Sequence, residues 1–334
     1  ALVEDARRSK QTALALKLSK DLLQQTNSIF SDQLLRLNVL RETRSAEFKP
    51  ALAACQREAA SNPTNTFRIC DLALWQMTNS TPAETLGWLR TLPRNTQTNC
   101  PVSILVAECL LALQDWRGLQ AAIDPQNWAE LEFFRRAFKT RALRGQDLTG
   151  AAKAEWMLTV KAATGQKTAL AMLQGLAAQW GWRSEAEELL WSIVNQFPGE
   201  PQAVQALSQA LVVNGRTRPL MMLNSQQLKR NPADLAAKNN LAMTALLLEA
   251  NELKPHDLAR EVYQKAPTNA SYASTYAFSL FVQGKNTEAL QVMQRLKPQD
   301  LQISSIAGYY GLILNATGNR EKARSYLEWA FKAP

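Results

Sequence analysis

The sequence has few of the residues that interrupt helices. Its 334 residues include only 13 glycines and 14 prolines, set among abundant Ala, Leu and Gln, which lose little on entering a helix. It also has a single histidine, four cysteines and no long apolar run. The low glycine and proline content predicts an all-α protein.

The scarcity of histidine and the placing of the cysteines leave little room for chemistry. One histidine, His256, excludes most Ser–His and Cys–His nucleophilic arrangements. Cys55, Cys70, Cys100 and Cys109 match no paired zinc-knuckle spacing, and His256 is far from them in sequence. We therefore expect no catalytic site, no cofactor and no metal, and a protein that is not an enzyme. Buried free thiols are expected, with one or two disulfides as the alternative in an exported protein.

The hydropathy and the net charge of the sequence indicate the surroundings and the partners that the protein would have. No run approaches the roughly 18 apolar residues that span a bilayer, and no signal peptide is recognisable, so we expect a soluble segment in an unassigned compartment. The chain begins with Ala1 and ends in KAP, which also closes an internal unit at residues 265–267; this suggests a fragment of a longer or anchored protein. The net charge of +9 favours acidic partners without requiring nucleic acid.

Glycines in the second half mark an internal repeat. Gly181, Gly215, Gly284 and Gly318 are separated by 34, 69 and 34 residues. The middle interval is two periods, with its glycine replaced near Ala250 and Asn251. Each period predicts one repeated structural unit.

Apolar residues on both sides of each glycine follow helical spacing. Ala307, Tyr310 and Leu314 precede Gly318 by 11, 8 and 4 residues, which indicates a helix with one apolar stripe. A second helix follows the glycine, with stripes at Ala186, Leu190 and Ile193, at Ala289, Met293 and Leu296, and at Ala323, Leu327 and Ala330. Glycine can end the first helix in the left-handed conformation. Prolines end the second helices at Pro198, Pro232, Pro267, Pro298 and Pro334.

These helical hairpins resemble tetratricopeptide repeats, which are 34-residue units with small, aromatic and proline positions at such spacings. The resemblance is clear over residues 167–334 and degenerate over residues 1–166. Leu220 and the displaced Ala259 depart from the small position of the second helix. Weaker turns are predicted at Gly145, at Gln114, and near Asn79 and Ser45, with residues 13–25 as a leading second helix. The resemblance implies one right-handed α–α superhelix of about nine hairpins.

The first helices of such an array would line a concave groove. Residues opposite the buried stripes are largely polar and uncharged, with an apolar patch at Phe278 and Phe281. Amide side chains can both donate to and accept from a peptide backbone. The candidate groove residues are Gln202, Gln205, Gln209, Asn240, Thr244, Ser271, Ser274, Phe278, Phe281 and Asn315. The alternative is that these are ordinary solvated helix faces and that the two phenylalanines belong to the core.

The densest basic segment is a candidate anion-binding patch. Arg135, Arg136 and Lys139 lie within one predicted helix and could receive an acidic peptide or a phosphate. The alternative is a solvated face paired with Glu130 and Glu132. Helical repeats that read single-stranded RNA would need basic residues in every unit, and the clear units lack them.

The resemblance implies protein–protein binding as a class of function. We expect a non-enzymatic scaffold that binds a peptide or protein partner in its groove. A nucleic-acid-binding array and the non-catalytic repeat region of a larger enzyme remain alternatives, with nucleic acid the less favoured partner. The uncapped ends of a solenoid also allow an end-to-end homodimer.

Overall fold

The computed structural model describes residues 1–332, and these residues form helices and no strand. They comprise 21 α-helices and three single turns of 3-10 helix at Ala129–Leu131, Asn251–Leu253 and Asp300–Gln302. The chain divides into two compact units, of which the first is Ala1–Gln196 and the second begins at Phe197. The expected all-α fold is confirmed.

Thirteen helices belong to the first unit and eight to the second. The first unit contains α1 (Leu2–Arg8), α2 (Thr12–Leu23), α3 (Phe30–Glu42), α4 (Phe48–Ser61), α5 (Thr66–Asn79), α6 (Pro82–Leu89), α7 (Arg94–Thr98), α8 (Val102–Ala112), α9 (Trp116–Ile123), α10 (Glu132–Gly145), α11 (Thr149–Ala163), α12 (Lys167–Gln179) and α13 (Arg183–Gln196). The second contains α14 (Pro201–Val213), α15 (Thr217–Arg230), α16 (Leu235–Leu247), α17 (Pro255–Lys265), α18 (Ala270–Val282), α19 (Asn286–Gln294), α20 (Ser304–Ala316) and α21 (Arg320–Lys332).

From α3 onward the helices pack as nine hairpins. The pairs are α3–α4, α5–α6, α8–α9, α10–α11 and α12–α13 in the first unit, and α14–α15, α16–α17, α18–α19 and α20–α21 in the second. Helix α2 is the predicted leading second helix, and the short α1 packs against it. The irregular stretch before α8 contains α7, which joins no hairpin. Within each unit, several first helices contact the first helix of the next pair, as in α10 and α12 or α18 and α20, so these hairpins cover part of each other's apolar surface.

The turn inside most hairpins has one residue in the left-handed conformation. These residues are Arg44, Gln114, Asp147, Gly181, Gly215, Glu249, Gly284 and Gly318, and Lys10 has the same conformation between α1 and α2; their φ angles lie between 53° and 85°. Successive members lie 33 to 35 residues apart, except for Arg44 and Gln114, which are 70 apart because the α5–α6 turn at Ser80 has no such residue. The turn geometry therefore repeats even where the sequence has no glycine.

Two predicted turn positions are shifted. Gly145 ends α10, but the left-handed residue is Asp147. In the α16–α17 hairpin the left-handed turn residue is Glu249, one position before Ala250. Pro198, Pro232, Pro267 and Pro298 follow second helices as predicted; Pro198, for instance, comes two residues after the end of α13. The predicted Pro334 lies outside the described residues. The repeat length was thus predicted more accurately than the turn residues.

The cysteines lie in the first unit and are free thiols. Burial raises the pKa of Cys55, Cys70 and Cys109 to about 11. Cys100 is exposed, and its Sγ lies 3.4 Å from Ser103 Oγ. The buried thiols of Cys55 and Cys109 and the half-buried thiol of Cys70 therefore act as small apolar groups rather than as nucleophiles.

Helix α14 packs loosely within the second unit. Only Leu207 and Leu211 of its residues are buried, and it does not pack closely on α16, whereas α16 and α18 do pack together. The neighbouring helix α15 carries Leu220 where the equivalent helices carry the buried alanines Ala289 and Ala323. Leu220 is bulkier than these alanines; it is half-buried and lines open space bordered by α14, α15 and α16.

A candidate binding face on the second unit

The first helices of the second unit expose aliphatic side chains at one repeated position. Val213, Leu247 and Val282 each lie two residues before a left-handed turn residue, and their exposed fractions are 72%, 48% and 47%. Scattered exposed apolar residues are normal, but a recurrence at one register position in three successive hairpins places them on one face. We call the surface formed by α14, α16, α18 and α20 at these positions the first-helix face.

A cavity of about 380 Å³ opens on the first-helix face. Leu211 of α14, Leu220 of α15, Met243 and Leu247 of α16, and Tyr309 of α20 contribute its apolar lining. Helices from the first and the last hairpin of the unit thus line one cavity, which shows that the face curves inward there. The cavity is large enough to hold an apolar side chain.

Tyr309 connects this cavity to the aromatic residues of the face. Its ring centroid lies 4.7 Å from that of Phe278, which in turn stacks on Phe281 at 6.1 Å. Burial raises the pKa of the Tyr309 phenol. Three aromatic rings thus pack side by side next to the cavity; Phe278 is buried, and Tyr309 and Phe281 are half-buried.

A second cleft of about 500 Å³ lies between α14 and α16. Its walls include Gln205 and Gln209 of α14 and Asn240 of α16, and its floor includes Asn224 and Gln227 of α15. Asn224 also lines the 380 Å³ cavity, so the two spaces meet at this residue. The cleft is open because α14 and α16 are not closely packed, and its lining is mostly uncharged.

The structure brings several predicted groove residues together at these spaces. Gln205, Gln209 and Asn240 are exposed and line the larger cleft, and Asn240 and Thr244 line the smaller cavity. Thr244 is buried, and its Oγ1 donates a hydrogen bond to the Asn240 carbonyl oxygen at 2.7 Å. Gln202 is exposed on α14 but lines neither space.

The predicted residues on α18 and α20 divide between surface and interior. Ser271 and Asn315 are exposed. Ser274 is buried and its Oγ donates to the Ser271 carbonyl oxygen at 3.0 Å. Phe278 is 8% exposed and Phe281 is half-buried, so these two rings belong as much to the packing of α18 as to the exposed surface.

Two residues that line the cavity or the cleft, Tyr309 and Asn224, were not predicted from the sequence. Tyr309 was counted in no stripe, and Asn224 lies on a second helix, which was expected to face away from the groove. The available signal was Leu220: a bulky residue at the small position of one hairpin indicates a local opening between helices. Met243 and Leu247 carried a weaker signal, as apolar residues outside the buried stripe of α16.

The predicted anion patch of the first unit is occupied by ion pairs. Arg135 is 8% exposed, pairs with Glu132, and donates to the Ile123 carbonyl oxygen at 3.2 Å. Arg136 lies 2.7 Å from Glu155, and Lys139 Nζ lies 2.8 Å from Asp124 Oδ1. Any anion would have to compete with these carboxylates.

The histidine takes part in a polar cluster in the second unit. His256 Nδ1 lies 2.8 Å from the Oγ of the fully buried Ser279 and 3.2 Å from Gln283 Nε2. Within residues 1–332, no group of three His, Cys, Asp or Glu residues is arranged to hold a metal ion. Across the same residues, no helix is both long and apolar enough to cross a bilayer.

Comparisons with known proteins found structural similarity alone. No family model matches the chain, and no curated protein matches it. Among solved structures, MamA from Desulfovibrio magneticus RS-1 is similar over 51% of this chain and 96% of its own, at 15% identity and a TM-score of 0.38. YrrB, described as a TPR protein with an unusual peptide-binding site, is similar over 52% of this chain and 90% of its own, at 16% identity and a TM-score of 0.35. The TPR domain of P58(IPK) is similar over 99% of this chain and 96% of its own, at 12% identity and a TM-score of 0.25.

The observation that decides the fold is the recurrence of hairpins with left-handed turns about every 34 residues. The chain has a tetratricopeptide-repeat-like fold. With identities of 12 to 16% and TM-scores below 0.5, the similar structures carry no information about a partner. Evidence for function in this tetratricopeptide-repeat-like chain must come from its own first-helix face.

Proposed function

We propose that the chain is a non-enzymatic interaction module that binds an uncharged, partly apolar peptide segment of a protein partner on the first-helix face. The observation that carries the proposal is the exposed aliphatic residue at the same position of three successive hairpins, Val213, Leu247 and Val282. A segment that follows the face meets one apolar contact per hairpin. Burying such side chains contributes roughly 25 cal/mol per Å² of apolar area.

The polar residues of the face support an uncharged ligand. Gln205, Gln209 and Asn240 line the larger cleft, and Leu247 shares the smaller cavity with Asn240 and Thr244, where Arg216 is the one charged residue among the described residues that line it. Amide groups donate to and accept from a peptide backbone without requiring a particular side chain. A clamp for a terminal carboxylate would instead need several basic residues on the face; the predicted groove positions supply none, and the smaller cavity has Arg216 alone among the described residues that line it.

Selection from a phage-displayed library of random 12-residue peptides tests this proposal. We expect the wild type to enrich sequences with recurring apolar residues, and the Val213→Ser, Leu247→Ser, Val282→Ser triple variant to lose that enrichment. Met222→Ser is the control, because the exposed fraction of Met222, 62%, lies within the range of the three aliphatic residues, but Met222 is on the second helix α15. Enrichment of the same sequences by the triple variant would contradict the proposal.

The nucleic-acid alternative has weaker support. The most basic segment of the chain is α10. Each of its residues Arg135, Arg136 and Lys139 is paired with a carboxylate. Binding of a polynucleotide that weakens steeply with salt concentration would revive this alternative.

A further inference from the structure

The cleft between α14 and α16 contains buried hydrogen-bond donors without partners. Asn224 is 6% exposed, and its Nδ2 has no hydrogen-bond partner among the described residues. The same is true of the buried Nε2 of Gln227, one helical turn further along α15. Both side chains line the larger cleft. Because a buried donor without an acceptor destabilises the fold, two of them at one open cleft indicate a place where an acceptor is supplied from outside.

The charge of the cleft restricts what that acceptor can be. Asp234 is the one charged side chain among the described residues that line it. Its Oδ1 already accepts hydrogen bonds from the backbone N–H groups of Ala236 and Ala237 at 2.9 and 3.0 Å. A ligand carboxylate would meet this negative charge, and no basic residue is among the described residues that line the cleft, although Arg216 lines the adjoining cavity. An uncharged acceptor avoids that repulsion.

The other walls of the cleft provide hydrogen-bonding groups for an N–H. Asn240, Gln205 and Gln209 are exposed amides at its rim, and the carboxylate of Asp234 has further acceptor capacity. The cleft therefore offers donors on its floor and acceptors at its rim. An amide group, with one carbonyl and one N–H, is the neutral group that uses both.

We propose that this cleft is an amide-recognition site, in which Asn224 and Gln227 donate hydrogen bonds to the carbonyl oxygen of a peptide amide inserted between α14 and α16. The proposal rests on the proposed function and deepens it, because it names the chemistry of one contact made by the bound segment. The amide comes either from the main chain of the segment or from an Asn or Gln side chain.

Fragment binding followed by NMR tests the proposal on the full chain. The probes are N-methylacetamide, which mimics a peptide bond, propionamide, which mimics a carboxamide side chain, and sodium propionate, which has the same shape as propionamide with a negative charge. We expect the two amides to shift the side-chain NH₂ signals of Asn224 and Gln227 in a saturable way, and propionate to leave them in place. The amide that binds more tightly shows whether the ligand group is a main-chain amide or an Asn or Gln side chain.

Variants supply a second measurement. Gln227→Met and Asn224→Leu keep similar shapes but remove the unpaired donors. Each should raise the thermal midpoint of the unliganded protein by a few degrees, because a buried unsatisfied group is lost, and should abolish the saturable shift at the remaining amide. Gln291→Met, at an exposed position on α19, is the control that should change neither.

Two results would overturn the site. One is the absence of any saturable shift with either amide, or an equal shift with propionate. The other is a lower midpoint in both Gln227→Met and Asn224→Leu, which would mean that the donors are satisfied within the fold. Because phage selection by the wild type can succeed while the amide probes fail, failure of this site is distinguishable from failure of the proposed function.

Discussion

Gly145 lies directly against the indole ring of Trp116. A Cβ added at Gly145 would come within 2.2 Å of Trp116 Cδ2, far inside van der Waals contact. The indole is also 5.1 Å from the guanidinium carbon of Arg141, which lies on the same helix as Gly145. The glycine at the end of α10 is therefore required by the contact between two hairpins, and the turn itself is made by Asp147.

Substitution of Gly145 should be costly. We expect Gly145→Ala to lower the free energy of unfolding by about 2 kcal/mol, since the rigid indole must move and its packing is lost. Gly150→Ala is the matched control: a Cβ there meets nothing within 4 Å, so the change should raise stability by about 0.5 kcal/mol through the greater helix propensity of alanine. Urea unfolding followed by circular dichroism measures both. Equal effects of the two substitutions would show that Trp116 does not impose the glycine.

Substitutions at the left-handed turn residues of two neighbouring hairpins should change the stability of the protein in opposite directions. Glu249 has φ of 54° and Gly215 has φ of 64°, and a side chain in this conformation costs about 1 kcal/mol. Glu249→Gly should therefore stabilise the protein by about 1 kcal/mol, and Gly215→Ala should destabilise it by a similar amount. The urea midpoints of the two variants provide the measurement. A decrease in stability for Glu249→Gly would show that its side chain makes a stabilising contact.

The ion pair between Glu132 and Arg135 predicts a specific pH dependence. The hydrogen bond from Arg135 lowers the pKa of the Glu132 carboxyl below its ordinary value. A lowered pKa in the folded state means that the stabilisation is complete above the ordinary glutamate pKa of about 4.3 and is lost as the pH falls through the lowered folded value. We expect Glu132→Gln to be less stable than the wild type at pH 7, with the difference shrinking as the pH falls below about 4.

Unfolding measured at a series of pH values between neutral and acidic tests this dependence. Glu130→Gln is the control, because Glu130 is an exposed neighbour outside the Arg135 pair. A difference between the wild type and Glu132→Gln that stays constant over the whole pH range would contradict the role given to the pair.

Leu220 should control the opening beside α14. In Leu220→Ala the obstacle between α14 and α15 is removed, so α14 can move inward and part of the cavity closes. We expect slower amide hydrogen exchange across Pro201–Val213 in this variant, measured by mass spectrometry. Leu228→Ala is the control, because Leu228 is a half-buried leucine on the same helix. If both substitutions speed exchange in α14, Leu220 is an ordinary packing residue.

The fold could be predicted from the sequence because the same pattern recurs in several units, so an ambiguous residue in one unit does not change the prediction. The spacing of Gly181, Gly215, Gly284 and Gly318 predicted the hairpins, and the left-handed turns occur at nearly the same interval even at Gln114 and Glu249. Turn residues other than glycine could not be located from sequence, because several residues near each turn can adopt the conformation at a small cost. Repeat length is therefore a stronger signal than residue type.

The candidate site was predicted only in outline. Gln205, Gln209 and Asn240 were placed on a common face by helical spacing, and they do line one cleft. The depth of that cleft depends on how far α14 stands from α15 and α16, which is a property of packing and not of periodicity. Asn224 and Tyr309 enter the site through this packing, so helical spacing alone could not identify them.

Photo-crosslinking of a selected peptide is the most direct test of the claim that the first-helix face binds a partner segment. p-Benzoylphenylalanine would be placed at position 247 on α16, or at position 222 on α15, in the otherwise unchanged chain. We expect an efficient crosslink from position 247 and little from position 222, with the reaction at 247 suppressed by excess unlabelled peptide. Efficient crosslinking from position 222 with none from position 247 would contradict it.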